Sequence, residues 1–302
     1  MPGSFPFIKK NFMRIAIASG KGGTGKTTVA IHLYQYLSKL LDDQVQLIDC
    51  DVEEPNDLLF IPNAVNISEN TVFTMVPEID TAQCTFCKKC SDWCEFNAIT
   101  LVKNRKFAEI NKDLCHSCGA CLHACEFAAI REYKNPIGTI SGYKTTFGTG
   151  ITEGRLRIGS SMQTSLIRAL KKQTAGSAVL QILDAPPGTS CPVVETVSGA
   201  AYVILVTEPT PFGLNDLKLT VDLLNDLKIP FGVIVNKAGL GNKAVYGYLE
   251  ANNIELIGKI PFSKEYAESY SKGTLLNNVP EELEAFYIKT AERLLEVTGI
   301  KN

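Results

Sequence analysis

The chain has 302 residues, of which 45% are apolar and 21% charged, and a formal net charge of −2. Such values describe a globular protein with one large domain or two smaller ones, and the near-neutral balance supplies no basic field for nucleic acid. No apolar run approaches the ~20 residues that cross a bilayer, so membrane insertion is not expected. Residues 1–12, MPGSFPFIKKNF, hold neither a long apolar stretch nor a small-residue cleavage site and read as a tag remnant or a loose arm, outside the fold. With no export signal the expected location is the cytoplasm.

The first expected strand is RIAIAS (14–19). It runs into SGKGGTGKTT, where Gly20 to Thr27 fit G-x-x-x-x-G-K-[ST] between a strand and a helix, the context that phosphate-loop motif requires. Gly22, Gly23, Thr24 and Gly25 would let backbone amides close around phosphate oxygens, and Thr27 and Thr28 open a helix whose N-terminal dipole favours anions. Lys26 would reach the β and γ phosphates of ATP, with the Thr27 hydroxyl on Mg2+. Val29, Leu33, Tyr36, Leu37 and Leu40 then mark one face of that helix. The next strand, VQLIDCD (45–51), leaves Asp49 and Asp51 at its end, with Cys50 between them as a small core residue.

The strand–helix rhythm then breaks. Eight of the ten cysteines lie between Cys84 and Cys125, in two runs that share their spacing and the ending CEF-x-AI. In a reducing compartment clustered cysteines more often hold metal than form disulfides. Cys84-x2-Cys87-x2-Cys90-x3-Cys94 and Cys115-x2-Cys118-x2-Cys121-x3-Cys125 both fit the run that wraps three thiolates round one 4Fe–4S cluster and sends the fourth to the other cluster. Cluster one would take Cys84, Cys87, Cys90 and Cys125; cluster two would take Cys115, Cys118, Cys121 and Cys94. Zinc, which also accepts four cysteines, is the alternative. His116 and His123 are expected on the surface, since eight thiolates complete both clusters. Glu95 and Glu126 stand where such runs carry proline, and their charge should disfavour a reduced cluster.

A Gly- and Thr-rich stretch (138–159) predicts one or two hairpins. After it the short β-branched runs resume at 178–186, 201–209, 231–239 and 254–262, with amphipathic helices expected over 214–228 and 280–297. Alternating strands and helices predict a doubly wound, mostly parallel α/β sheet, formed by 13–80 and 133–302 and interrupted by a small α+β insert at 81–132.

Lys21, ahead of the usual lysine, makes the loop resemble the deviant Walker A pattern K-G-G-x-G-K-[ST] of the MinD/ParA/Mrp and nitrogenase iron-protein ATPases. The resemblance spans nearly all of the chain outside the insert. It implies a homodimer formed on ATP binding, in which Lys21 crosses to the partner's nucleotide. It also implies that Asp51 orients the attacking water, Asp49 sits near Mg2+, Asp184 in ILDAPPGTS serves Mg2+ through water, and the Gly188 amide approaches the γ phosphate. Asn236 in VIVNKAG would read adenine, with Pro261 in IPF packed on the base. Cys191, read as a partly buried loop thiol, has an offset from Asp184 that resembles that of a cluster-holding cysteine of the nitrogenase iron protein. The insert resembles two-cluster 4Fe–4S ferredoxins, and the whole resembles MinD-superfamily ATPases with an inserted ferredoxin domain. That implies an ATPase switch gating electron transfer to a redox partner. The alternatives are an Fe–S or metallocofactor assembly factor and a positioning switch.

Overall fold

The computed structural model describes residues 12–277 and 279–300; the arm expected at 1–12 falls, Phe12 apart, outside them. The frame is a nine-stranded sheet ordered β11-β10-β9-β1-β8-β2-β7-β6-β3. Its first half comprises β1 (Met13–Ala18), helix α1 (Lys26–Leu40), β2 (Val45–Asp49) and β3 (Val65–Ile79). Between β3 and β6 (Ile130–Lys144) lie the short helices α2 (Lys89–Asp92) and α3 (Ala120–Ala124) and the hairpin β4 (Ile99–Val102) and β5 (Phe107–Ile110). Then follow β7 (Gly150–Leu156), α4 (Gln163–Gln173), β8 (Leu180–Asp184), α5 (Cys191–Val197), β9 (Tyr202–Thr207), α6 (Pro211–Leu227), β10 (Phe231–Ala238), α7 (Ala244–Ala251), β11 (Leu256–Pro261), α8 (Lys264–Ser271) and α9 (Glu281–Thr298).

All pairings from β11 through β7 are parallel, and β6 and β3 complete the sheet antiparallel. The central strands are largely apolar and buried along almost their whole length because both faces are covered. Ile15 and Ile17 of β1 face a core made with α1 and α9, through Ile31, Leu33, Tyr287 and Leu294. Ala16 and Ala18 face a second core made with α4 to α7, through Leu166, Val193, Leu217 and Val245. This is the alternation a pleated strand imposes. Among the described residues no helix is long and apolar enough to cross a membrane.

The expected hairpin of the Gly/Thr-rich stretch is β6–β7, with Gly138 opposite Leu156. The long strand β3 was not anticipated. Its sequence, VNISENTVFTMVPEI, alternates polar and apolar residues and forms the exposed sheet edge, unlike the continuous apolar runs of the interior. β3 and β6 pair from Val65–Lys144 to Ile79–Ile130, while β7 accompanies β6 only over Gly138–Tyr143. Beyond that point the two strands form a ribbon, and residues 80–129 fold at its end.

Candidate functional site

In a parallel sheet the strand ends carry the binding residues, and here six strands deliver theirs to one edge. β1 runs into the phosphate loop; β2, β8, β9, β10 and β11 end at or beside Asp49, Asp184, Glu208, Asn236 and Pro261. Gly25 has φ +91°, and a Cβ there would collide with the Asn236 amide; only glycine satisfies both demands. Asn236 Nδ2 donates to the Thr24 carbonyl at 2.7 Å. Gly23, Gly25, Thr28, Asn236 and Pro261 line a cavity of about 260 Å3. Its far wall is Phe262, Tyr266 and Tyr270, an apolar wall beside a phosphate loop that suits a purine nucleotide. Gly188 lies next to the loop, its amide donating to the Ser19 carbonyl at 2.9 Å.

The anionic centre is buried. Lys26 Nζ lies 2.7 Å from Asp184 Oδ1, and the Thr27 hydroxyl donates to Asp184 Oδ2 at 2.7 Å. Asp49 shapes the loop after β2 by accepting amides from Asp51, Asn56 and Asp57 at 3.0, 2.8 and 3.1 Å. Burial, reinforced by Asp184, pushes the Asp49 carboxyl up to about 8. Burial works against the Lys26 ammonium, but Asp184, Asp57 and Asp49 hold its pKa above the ordinary value. Asp51 is half-buried and pushed up to about 6, chiefly by burial.

Asp57 is one residue that sequence reasoning missed. It is fully buried, and neither carboxylate oxygen has a hydrogen-bond partner among the described residues. Burial and the charges of Asp49 and Asp184 raise its pKa well above the usual range. Three carboxyls face one ammonium, and their raised pKa values record the cost of ionising them together, a cost that a divalent cation would relieve. These residues fit Mg2+, which needs only one or two carboxylates once phosphate and water supply the rest. Asp57 sits in PND, where an acid reads as a turn residue; no local signal marked it. Glu208, Lys237 and Tyr266 were missed for the same reason.

The insert brings the two cysteine runs together crosswise. Cys84, Cys87, Cys90 and Cys125 line one cavity, with Ile79, Leu101 and Phe127. Cys115, Cys118, Cys121 and Cys94 line another, with Pro77, Phe96 and His116. Amides of Phe86, Ser117 and Ala98 point at Cys84, Cys115 and Cys94 Sγ, each at 3.4 Å, as they do around cluster thiolates. The backbone repeats with the sequence: Phe86 and Ser117, then Asn97 and Ala128, hold positive φ at matching points of the two runs. Among the described residues no group of three His, Cys, Asp or Glu side chains is spaced to hold a metal ion unaided. A cubane asks for a wider set, since its four cysteines bind separate irons, and each cavity is lined by four thiols. Of the two glutamates after the runs, Glu126 is paired with Lys89 at 2.6 Å, so the charge expected there is offset. His116 and His123 are exposed. Cys50 is buried, as expected; Cys191 begins α5 and is exposed, not partly buried.

One loop touches both regions. The Leu156 amide donates to the carbonyl of Val52, the residue after Asp51, at 2.7 Å. The chain continues through 157–162, where the Ser161 hydroxyl donates to the Asp113 carbonyl at 2.9 Å, two residues before Cys115.

The profile of the CobQ/CobB/MinD/ParA nucleotide binding domain matches residues 15–276. An uncharacterized Methanocaldococcus jannaschii protein is 33% identical over 286 residues, covering 93% of this chain and 97% of its own. An iron-sulfur cluster carrier protein of Aquifex aeolicus is 24% identical over 304 residues, 95% of this chain and 68% of its own. The septum site-determining protein MinD of Pyrococcus horikoshii, solved with Mg-ADP, superposes with a TM-score of 0.57 at 19% identity, covering 96% of this chain and 99% of its own.

Proposed function

The chain belongs to the CobQ/CobB/MinD/ParA nucleotide-binding family, and from that premise we propose that it is a Mg2+-dependent ATPase whose ATP-bound, paired form gates electron delivery from a two-cluster ferredoxin module. Lys26 and the loop amides hold the triphosphate, Thr27 and Asp184 the metal, and Asp51 the attacking water. Lys21 neutralises transition-state charge from the opposite subunit. When bound, the two 4Fe–4S clusters supply one-electron transfer, held by Cys84, Cys87, Cys90 and Cys125 and by Cys115, Cys118, Cys121 and Cys94. The protein is expected to work in the cytoplasm with a redox protein as partner.

The observation that carries this reading is the segment 156–162, whose Leu156 amide bonds Val52, the residue after Asp51, and whose Ser161 hydroxyl bonds Asp113, two residues before Cys115. A shift of the Asp51 segment on hydrolysis would be felt at the module. The test is anaerobic purification with iron and sulfide counting, then EPR of the reduced protein with and without Mg-ATP. Eight irons per chain and a nucleotide-dependent spectrum are expected; a spectrum indifferent to ATP sinks the gating.

A second reading, cluster assembly or transfer, is favoured by the relatives named as iron-sulfur cluster carriers. Against it stands the use of all eight module cysteines in two internal sites, which suits retention. Loss of iron to an added apo-acceptor protein would favour transfer.

A further inference from the structure

Glu208 follows β9 with its side chain only 10% exposed, between two lysines. Its Oε2 lies 3.1 Å from Lys21 Nζ, and its Oε1 takes the ammonium of Lys237. Lys237 also donates to the Gly23 carbonyl at 3.1 Å. The three side chains thus close a ring of contacts over the mouth of the phosphate loop. Burial alone would raise the Glu208 carboxyl, but Lys237 and Lys21 hold its pKa below the ordinary value. Lys237 has a left-handed backbone, φ +52°, which is uncommon for a residue other than glycine.

Lys21 is therefore engaged within its own chain. To reach a nucleotide in a second subunit it must leave Glu208. We propose that Glu208 is a positioning residue that retains Lys21 in its own subunit and so sets the threshold for ATP-driven pairing, a role that rests on the crossing of Lys21 described above. Lys237 makes the release feasible. A buried carboxylate stripped of every partner is costly, but when Lys21 departs, Lys237 remains on the other oxygen. The latch gives up one partly exposed ion pair and strands no charge.

The test uses the full chain, wild type and Glu208→Gln. Without nucleotide, acylation of Lys21 by an amine-selective reagent, read by mass spectrometry against Lys264, should rise about fivefold in the variant, the scale of a partly exposed ion pair. With Mg-ATP, sedimentation over a concentration series should show the variant pairing at about fivefold lower protein concentration. Lys237→Met, which leaves Lys21 as the lone counter-charge, should shift both readouts the other way, and should have no effect once Glu208→Gln is already in place. Unchanged Lys21 acylation in Glu208→Gln, or weaker pairing, overturns the role of Glu208. A wild-type chain that stays monomeric at every ATP concentration instead defeats the crossing of Lys21, and the threshold with it.

Discussion

The Ser161 hydroxyl reaches the Asp113 carbonyl at 2.9 Å and ties two regions 48 positions apart in sequence. Ser161→Ala removes this tie and touches neither the phosphate loop nor a cysteine. One exposed hydrogen bond contributes about 1 kcal/mol, so the fold should persist. We expect ATP turnover within about twofold of wild type, while amide hydrogen exchange over residues 112–118 loses its response to Mg-ATP. A response of wild-type size would remove the loop from the coupling.

Lys21→Ala separates binding from turnover. On the proposed reading Lys26 and the loop amides hold the phosphates without help from Lys21, so ATP affinity should change less than about threefold. The lost charge is of the kind an arginine finger supplies, and hydrolysis should fall by about 10^3-fold or more, together with ATP-induced pairing. Nucleotide titration, steady-state turnover and sedimentation on the same preparation decide the matter. Turnover at the wild-type rate would refute the role in trans.

The legible parts of this chain were those whose chemistry is local. The phosphate loop and both cysteine runs announce themselves because the spacing of neighbouring residues is itself the mechanism. The crosswise sharing of Cys94 and Cys125 was legible too, since it follows from the spacing rule, and the structure sets each cysteine beside the opposite run. The interior strands were readable as short, largely apolar runs. β3 was not, because an exposed edge strand lacks that signal. Asp57 and Glu208 were invisible for a different reason. Each is an ordinary acid in its own neighbourhood and gains meaning only from side chains brought by distant strands: Asp184 for Asp57, Lys21 and Lys237 for Glu208.

Cys94→Ser tests the crossing directly. Cys94 belongs to the first run by sequence and to the cavity of Cys115, Cys118 and Cys121 by position. Its loss should therefore disturb cluster two and leave the cluster held by Cys84, Cys87, Cys90 and Cys125. Iron content near half of wild type, with one of two EPR signals retained, is expected. The matching Cys125→Ser variant should remove the other signal. Both variants erasing the same signal would contradict the crossed arrangement.

Asp57→Asn should stabilise the protein where most substitutions at a fully buried residue would harm it. Burial, Asp49 and Asp184 all raise the Asp57 pKa, so the native state holds a proton that the unfolded chain releases near pH 4. The resulting stability is complete below the unfolded value and is lost as pH rises through the native one; for the neighbouring Asp49 that value is about 8. In metal-free buffer the wild type should therefore lose thermal stability between about pH 4 and pH 8. Asparagine keeps the shape of the side chain and has no proton for the unfolded chain to release. At pH 8 we expect a gain of at least about 1 kcal/mol, or roughly 2–4 °C in Tm, that shrinks toward pH 4. The same variant should lose part of the stabilisation that Mg2+ gives the wild type, because one carboxyl that the cation would ionise is gone. Equal melting temperatures at pH 8 would mean that the folded chain does not raise the Asp57 pKa above its unfolded value.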